Sequence, residues 1–138
     1  MNKTSKRVLI VEDDKDLQDI YRYAFEDAGY EVKISDDGLN GVTDATEYLP
    51  DVVILDIMMP EMNGYQFLSA LNNNTSLKIP VVVVTNLTQE REKQKALAAG
   101  ASLFLTKSEY DGPDLVVKVN ELLAGQPSQA KSTATEVE

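Results

Sequence analysis

Five polar residues stand where short apolar runs end, and their types suit one another. Glu12 and Asp13 follow Val8-Leu9-Ile10-Val11. Asp56 follows Val52-Val53-Ile54-Leu55, Thr85 follows Val81-Val82-Val83-Val84, and Lys107 comes just beyond Leu103-Phe104-Leu105. Each run is short and continuous, and most are rich in β-branched residues, the pattern of a strand buried on both faces. All five residues therefore fall at carboxyl ends of strands, the edge at which open α/β sheets hold their ligands. If the sheet runs 2-1-3-4-5, the first and third strands are neighbours, and Glu12, Asp13 and Asp56 meet in one crevice. Three carboxylates brought together repel, and burial adds to the cost. Lys107 offsets one negative charge, and a divalent cation would offset the other two.

The chain has no histidine and no cysteine. It therefore holds no disulfide, catalytic thiol, Ser-His-Asp triad or ordinary zinc site. Any metal must be held by oxygen, which points to magnesium, calcium or manganese. Magnesium (Mg2+) suits a site with one or two carboxylates and retained waters. The expected ligands are Asp13 and Asp56 directly, Glu12 through a water, and the backbone carbonyl of Met58. A metal, a lysine and a hydroxyl around one aspartate make a site for phosphoryl transfer. An aspartate carboxylate can attack phosphorus, and catalysis is then positioning plus cationic stabilisation. Asp56 is the expected acceptor, with Lys107 and the Thr85 hydroxyl on phosphoryl oxygens. A phosphohistidine donor would have to come from another protein.

Taken singly, these residues have plainer readings: Asp13 as a solvated acid or helix cap, Thr85 as a turn hydroxyl, Lys107 as a surface charge, Phe104 as core. Asp14 keeps the reading of a cap. Only the joint pattern favours chemistry.

Positioning the five residues requires strands that alternate with helices. Asp16 to Ala28 puts Leu17, Ile20, Tyr21, Ala24, Phe25 and Ala28 on one stripe, stopped by Gly29. Glu31 to Ser35 reads as the second strand, and Leu39 to Tyr48 as a weaker helix ending before Pro50. Met58 to Gly64 is a loop that includes Met59, Pro60, Glu61 and Met62; Tyr65 to Asn72 is a helix with Phe67, Leu68 and Leu71 inward. Thr88 is expected to cap a helix from Gln89 to Ala99, closed by Gly100, whose Glu90-Arg91-Glu92-Lys93 is a solvated face. Pro113 suits a helix start, and Leu115, Val116, Val119, Leu122 and Leu123 form the last stripe before Gly125. Five strands alternating with five helices imply a parallel sheet covered on both faces. Residues 126–138 are polar, small and aperiodic, and are expected to be a disordered tail or the start of a linker, leaving 1–125 as one domain.

A formal net charge of −10 argues against nucleic acid and anionic membranes as direct partners. No apolar run reaches spanning length, and the N-terminus carries no signal-peptide core, so a cytoplasmic location is expected.

VLIVEDD, VVILDIMMPEMNG, VVVVTN and AAGASLFLTK resemble the signature segments of the receiver domain of bacterial response regulators, over about residues 6 to 125. The resemblance implies a flavodoxin-like fold with sheet order 2-1-3-4-5. It implies magnesium-dependent phosphorylation of Asp56 by a histidine kinase or phosphotransfer protein. It implies a switch pair, Thr85 and Phe104, that alters the surface of the fourth helix, fifth strand and fifth helix for a downstream target protein. Three features depart from or specialise that pattern. Ser108 stands where the family usually has proline. Ser102-Leu103 replaces the acidic residues of DNA-binding dimers, which favours a monomer or weak dimer. Met58 and Leu87, both apolar, occupy positions that tune loss of the phosphoryl group, which implies slow self-dephosphorylation. Three alternatives remain at this stage. A flavodoxin binding FMN would need a hydroxyl- and glycine-rich loop in place of Glu12-Asp13-Asp14-Lys15-Asp16. An aspartate phosphatase would need an acid in place of Met58. A degenerate receiver would act as an interaction module without phosphorylation.

Overall fold

The structure, a computed structural model, describes residues 6–58, 63–73, 78–87 and 89–125. Five strands form one parallel sheet: β1 (Arg7–Val11), β2 (Glu31–Ser35), β3 (Val52–Leu55), β4 (Val81–Thr85) and β5 (Leu103–Thr106). Five helices alternate with them: α1 (Lys15–Asp27), α2 (Gly38–Tyr48), α3 (Gly64–Asn73), α4 (Glu90–Ala98) and α5 (Gly112–Leu123). The sheet order is β2-β1-β3-β4-β5, the order expected from the sequence. Among the described residues, no helix is long and apolar enough to cross a membrane.

The continuous apolar runs are explained by two cores, one on each face of the sheet. Leu9, Val11, Val53, Leu55, Val81 and Val83 face Ala45 of α2, Phe67, Leu68 and Leu71 of α3, and Ala96 of α4. Their neighbours Val8, Ile10, Val52, Ile54, Val82 and Val84 face Tyr21 and Phe25 of α1 and Leu115, Val116 and Val119 of α5. Because successive side chains alternate across a strand, every position from Val8 to Val11, Val52 to Leu55 and Val81 to Val84 is buried on one side or the other. Phe25 meets Tyr30 edge to face, with ring centroids 5.0 Å apart.

Helix boundaries follow from caps. Asp14 accepts the Asp16 and Leu17 amides, Asp37 accepts that of Asn40, and Asp111 accepts that of Asp114. Gly100 and Gly125 take positive φ just past α4 and α5.

Three expectations are corrected. α4 begins at Glu90, with Gln89 in the capping position and no side-chain capping bond; Thr88 lies outside the described residues, as do Met59 to Met62 of the loop and residues 126–138. Ile20 is 51% exposed and Ala28 is exposed, so neither belongs to the inward stripe of α1. At about 100° per residue, Ile20 sits beside Tyr21 on the flank of the helix, and Gln18 takes the inward position. Glu92 is half-buried rather than solvated, because its carboxylate accepts the Tyr65 hydroxyl.

The segment after β3 is closed by one backbone bond, Gly64 N–H to the Ile57 carbonyl at 2.7 Å. A β-carbon on Gly64 would stand 2.5 Å from the Ile57 α-carbon, so the backbone next to Asp56 would have to move. Gly64→Ala is expected to destabilise the fold by about 2 kcal/mol, in the range of overpacked sites. A urea-unfolding midpoint equal to wild type would refute this close approach.

Candidate functional site

The register of the sheet builds the site. Val11 pairs with Leu55 across β1 and β3, and with Ser35 across β1 and β2. The ladder runs one bond further: Asp56 N–H donates to the Val11 carbonyl and Glu12 N–H to the Ser35 carbonyl, each at 3.1 Å. The two residues that follow the strands, Glu12 and Asp56, therefore stand side by side. Leu55 pairs with Val83, which puts Thr85 near the same edge, and Thr85 pairs with Thr106, next to Lys107.

The expected acids do converge. One carboxylate oxygen each from Glu12, Asp13 and Asp56 all lie within 4.8 Å of one another. Glu12 and Asp56 are only 2% and 7% exposed, whereas Asp13 lies open to solvent. Lys107 Nζ donates to Asp56 Oδ2 at 2.9 Å and pairs with Glu12 Oε1 at 3.2 Å. Asp56 Oδ1 accepts the Met58 N–H at 3.2 Å, and Glu12 Oε2 accepts the Asp14 N–H at 3.1 Å. Thr85 is buried, and its Oγ1 accepts the Leu87 N–H at 3.3 Å. Met58 points its side chain largely outward at the rim. Phe104 is half-buried on β5 and packs against the core formed with α2, α3 and α4. Past Lys107 the chain makes a single 3-10 turn, Lys107–Glu109, that contains Ser108.

The electrostatics follow from that crowding. Burial, and then the neighbouring Asp56 charge, push the Glu12 carboxyl up to about 7 against the pull of the Asp14 amide and Lys107. Burial works against the Lys107 charge, but its hydrogen bond to Asp56 and the charges of Asp56 and Glu12 prevail, and its value is raised. One ammonium thus does not satisfy three acids. The surplus is negative, the donors are hard oxygens, and Asp13 leaves the site open on one side. These residues fit a small divalent cation, and the acidic cluster could hold one.

Of two neighbours of the site, Gln18 escaped the sequence reading and Tyr21 was read only as part of the inward stripe of α1. Gln18 is buried on α1 and donates to the Glu12 carbonyl and to Asp36. Tyr21 lies buried near the acids, and burial pushes its hydroxyl up to about 12. The signal for both was the spacing of residues 18, 21 and 25, one inward stripe with a polar residue on it.

The sequence matches the family of the response regulator receiver domain over residues 8–120. It is 33% identical over 118 residues to the DNA-binding dual master transcriptional regulator RpaA of Synechocystis, covering 85% of this chain and 48% of that protein. It is 35% identical over 116 residues to the response regulator SaeR of Staphylococcus aureus, covering 84% of this chain and 50% of that one. The chain thus spans about half the length of these relatives. Among solved structures, the chemotaxis protein CheY4 of Vibrio cholerae superposes with a TM-score of 0.78 at 30% identity, over 84% of this chain and 97% of that one. The receiver domain of Francisella response regulator 1452 gives 0.79 at 27% identity, over 86% and 96%.

The crowding makes a prediction for the metal-free protein. Glu12 holds its proton more tightly folded, at about 7, than at the ordinary value of 4.5. Between those values the folded state binds more protons than the unfolded one, so stability falls as pH rises through the window. Urea unfolding in a chelator should give a lower midpoint at about pH 8 than at about pH 5, and Glu12→Gln should flatten that difference. An equally steep dependence in Glu12→Gln would disprove the burial account.

Proposed function

The chain belongs to the response regulator receiver domain family, a phosphoryl-accepting signalling switch, and on that premise we propose that Asp56 is the acceptor, served by Lys107 and Thr85. The observation that carries this reading is the buried Asp56 carboxylate, 2.9 Å from Lys107 Nζ and clustered with Glu12 and Asp13. Asp56 attacks as a carboxylate and needs no general base. An oxygen–phosphorus bond forms at Asp56, and the bond from phosphorus to the donor's imidazole nitrogen breaks. The donor is a phosphohistidine on a histidine kinase or phosphotransfer protein, since this chain has no histidine. Lys107 already holds Asp56 Oδ2, and it passes to a phosphoryl oxygen as the negative charge moves there. Thr85 Oγ1 accepts the Leu87 amide, which leaves its own proton to donate to a second phosphoryl oxygen.

Magnesium is the cation we assign, with Asp13 and Asp56 as direct ligands, Glu12 through a water and the Met58 carbonyl; when bound it supplies charge neutralisation for the transferring group. Thr85 and Phe104 form the switch. Once Thr85 turns to the phosphoryl group, the Phe104 ring moves inward, and the surface of α4, β5 and α5 changes its preference for a downstream target. RpaA is described as DNA-binding, but the net charge of −10 favours a protein rather than nucleic acid as the direct partner of this chain. We assign residues 1–125 to the receiver, 126–138 to a tail or linker, and the chain to the cytoplasm as a monomer or weak dimer. With every reactive residue present, a degenerate receiver that works without phosphorylation is not favoured.

Incubation with acetyl phosphate and intact-mass analysis tests the reading. Wild type should gain one phosphoryl group only when magnesium is present, and Asp56→Asn should gain none at that site. Labelling of Asp56→Asn as readily as wild type would remove Asp56 from its role. Lys107→Ala should keep most of its metal binding but fail to pass the signal to a target. Self-dephosphorylation should be slow, because Met58 and Leu87 offer no polar group to orient water; loss of the label within seconds in the absence of a phosphatase would contradict that.

A further inference from the structure

We propose that Gln18 is a positioning residue for the cation site: its side-chain amide fixes the main chain of Glu12 and so aims the Glu12–Asp13 pair at Asp56. The inference rests on the reading of that site given above and extends it to a residue outside the acidic cluster. Gln18 shares the buried side of α1 with the aromatic rings of Tyr21 and Phe25, and it is 5% exposed. Burying an amide costs free energy unless it is hydrogen-bonded, so packing alone would be better served there by leucine or methionine. The amide nitrogen donates to the Glu12 carbonyl at 2.6 Å and to Asp36 Oδ1 at 2.8 Å. Both partners only accept, which sets the orientation of the amide with its nitrogen toward them. Asp36 is itself held by Lys15 Nζ at 2.9 Å.

The consequence falls on one peptide unit. Glu12 N–H donates to the Ser35 carbonyl, so β2 holds the upstream side of the residue. The Glu12 carbonyl lies in the peptide plane that also contains the Asp13 nitrogen. Gln18 therefore holds the plane from which the Asp13 side chain departs, while Glu12 is gripped from both sides. Asp13 is exposed and lies just past the end of β1. A rotation of this plane would swing the Asp13 carboxylate away from Asp56 and loosen the cluster without disturbing the core. Partners that orient metal ligands from outside the ligand set commonly change affinity by about 10- to 100-fold when removed.

The test uses the full, unphosphorylated chain and Mn2+ as the probe, with bound ion read from the loss of the free-ion electron paramagnetic resonance signal. Gln18→Met keeps the length and removes the donor. It should bind Mn2+ about tenfold more weakly. It should also need about tenfold more magnesium for half-maximal phosphorylation by acetyl phosphate, and reach the wild-type rate at saturation. A purely structural role would instead lower the saturating rate together with the folded fraction seen by circular dichroism, and that result would overturn the proposal. So would Mn2+ binding equal to wild type. Asp36→Ala, a change at the surface, keeps the question open to test should Gln18→Met fail to fold. It should weaken Mn2+ binding about threefold, as expected for one hydrogen bond. That loss should persist in about 0.5 M KCl, where an effect of charge through space is screened; disappearance of the loss in salt would refute positioning. Failure of the wild-type chain to bind Mn2+ at all would defeat the reading of the site itself, whereas normal wild-type binding with an indifferent Gln18→Met defeats only this inference.

Discussion

Two buried carboxylates and a third at the rim, faced by a single lysine, are the constraint around which this fold is arranged. Lys107 reaches both Asp56 and Glu12, yet Glu12 is still pushed up to about 7. That residual strain has a structural origin. β1 and β3 are adjacent and parallel, so the first residue past each must lie beside the other. The strands are apolar on both faces, and the acids cannot slip back into the sheet without entering a hydrophobic layer. Burial of two sets of helices against the sheet thus holds the negative charges where they repel. The same arrangement leaves room for a cation at the carboxyl edge.

The site depends on main-chain bonds as much as on side chains. Asp56 is fixed by its N–H to the Val11 carbonyl, and its carboxylate by the Met58 N–H and Lys107. The segment that follows is tied back by Gly64 to Ile57, at a contact too close for a β-carbon. Glu12 is fixed by Ser35 on one side and Gln18 on the other. The carboxylates are therefore presented by a rigid edge rather than by freely moving loops, which is what pre-organised transfer chemistry requires.

What could be read from the sequence, and what could not, follows from how far each signal reaches along the chain. Four apolar runs, each followed by a residue able to do chemistry, made β1, β3, β4 and β5 legible, whereas the sheet order, and with it the meeting of Glu12, Asp13, Asp56, Thr85 and Lys107, was legible only through the family resemblance. Asp14 was legible as a cap because capping is local. Gln18 was not, since a glutamine on a helix gives no local sign that its partners are a carbonyl six residues back and a carboxylate on the next strand's edge. Glu92 looked like one of several alternating charges, and its tie to Tyr65 spans twenty-seven positions. Ile20 looked like core because periodicity alone does not say where an inward stripe ends; α1 is narrow enough on its buried side that an isoleucine on the flank stays in water.

α4 stands apart from the other helices in what holds it. Ala96 is its one buried residue, and it starts without a side-chain cap. Its side-chain ties to α3 are polar: the Tyr65 hydroxyl to Glu92, Lys95 over the Tyr65 ring at 4.1 Å, and Asn72 to the Ala99 carbonyl. α1 and α5, by contrast, are anchored by Tyr21, Phe25, Leu115, Val116 and Val119. Moving α4 would expose little apolar surface, whereas moving α1 or α5 would open a core, at a cost that scales with the area exposed. Phe104 lies on the same side of the sheet as α4, on the strand whose end pairs with Thr85. The helix with the least to lose is thus the one beside the half-buried aromatic, while the acids rest on the elements with the most to lose. Rigidity at Asp56 and looseness at α4 are two results of the same distribution of apolar residues about one sheet.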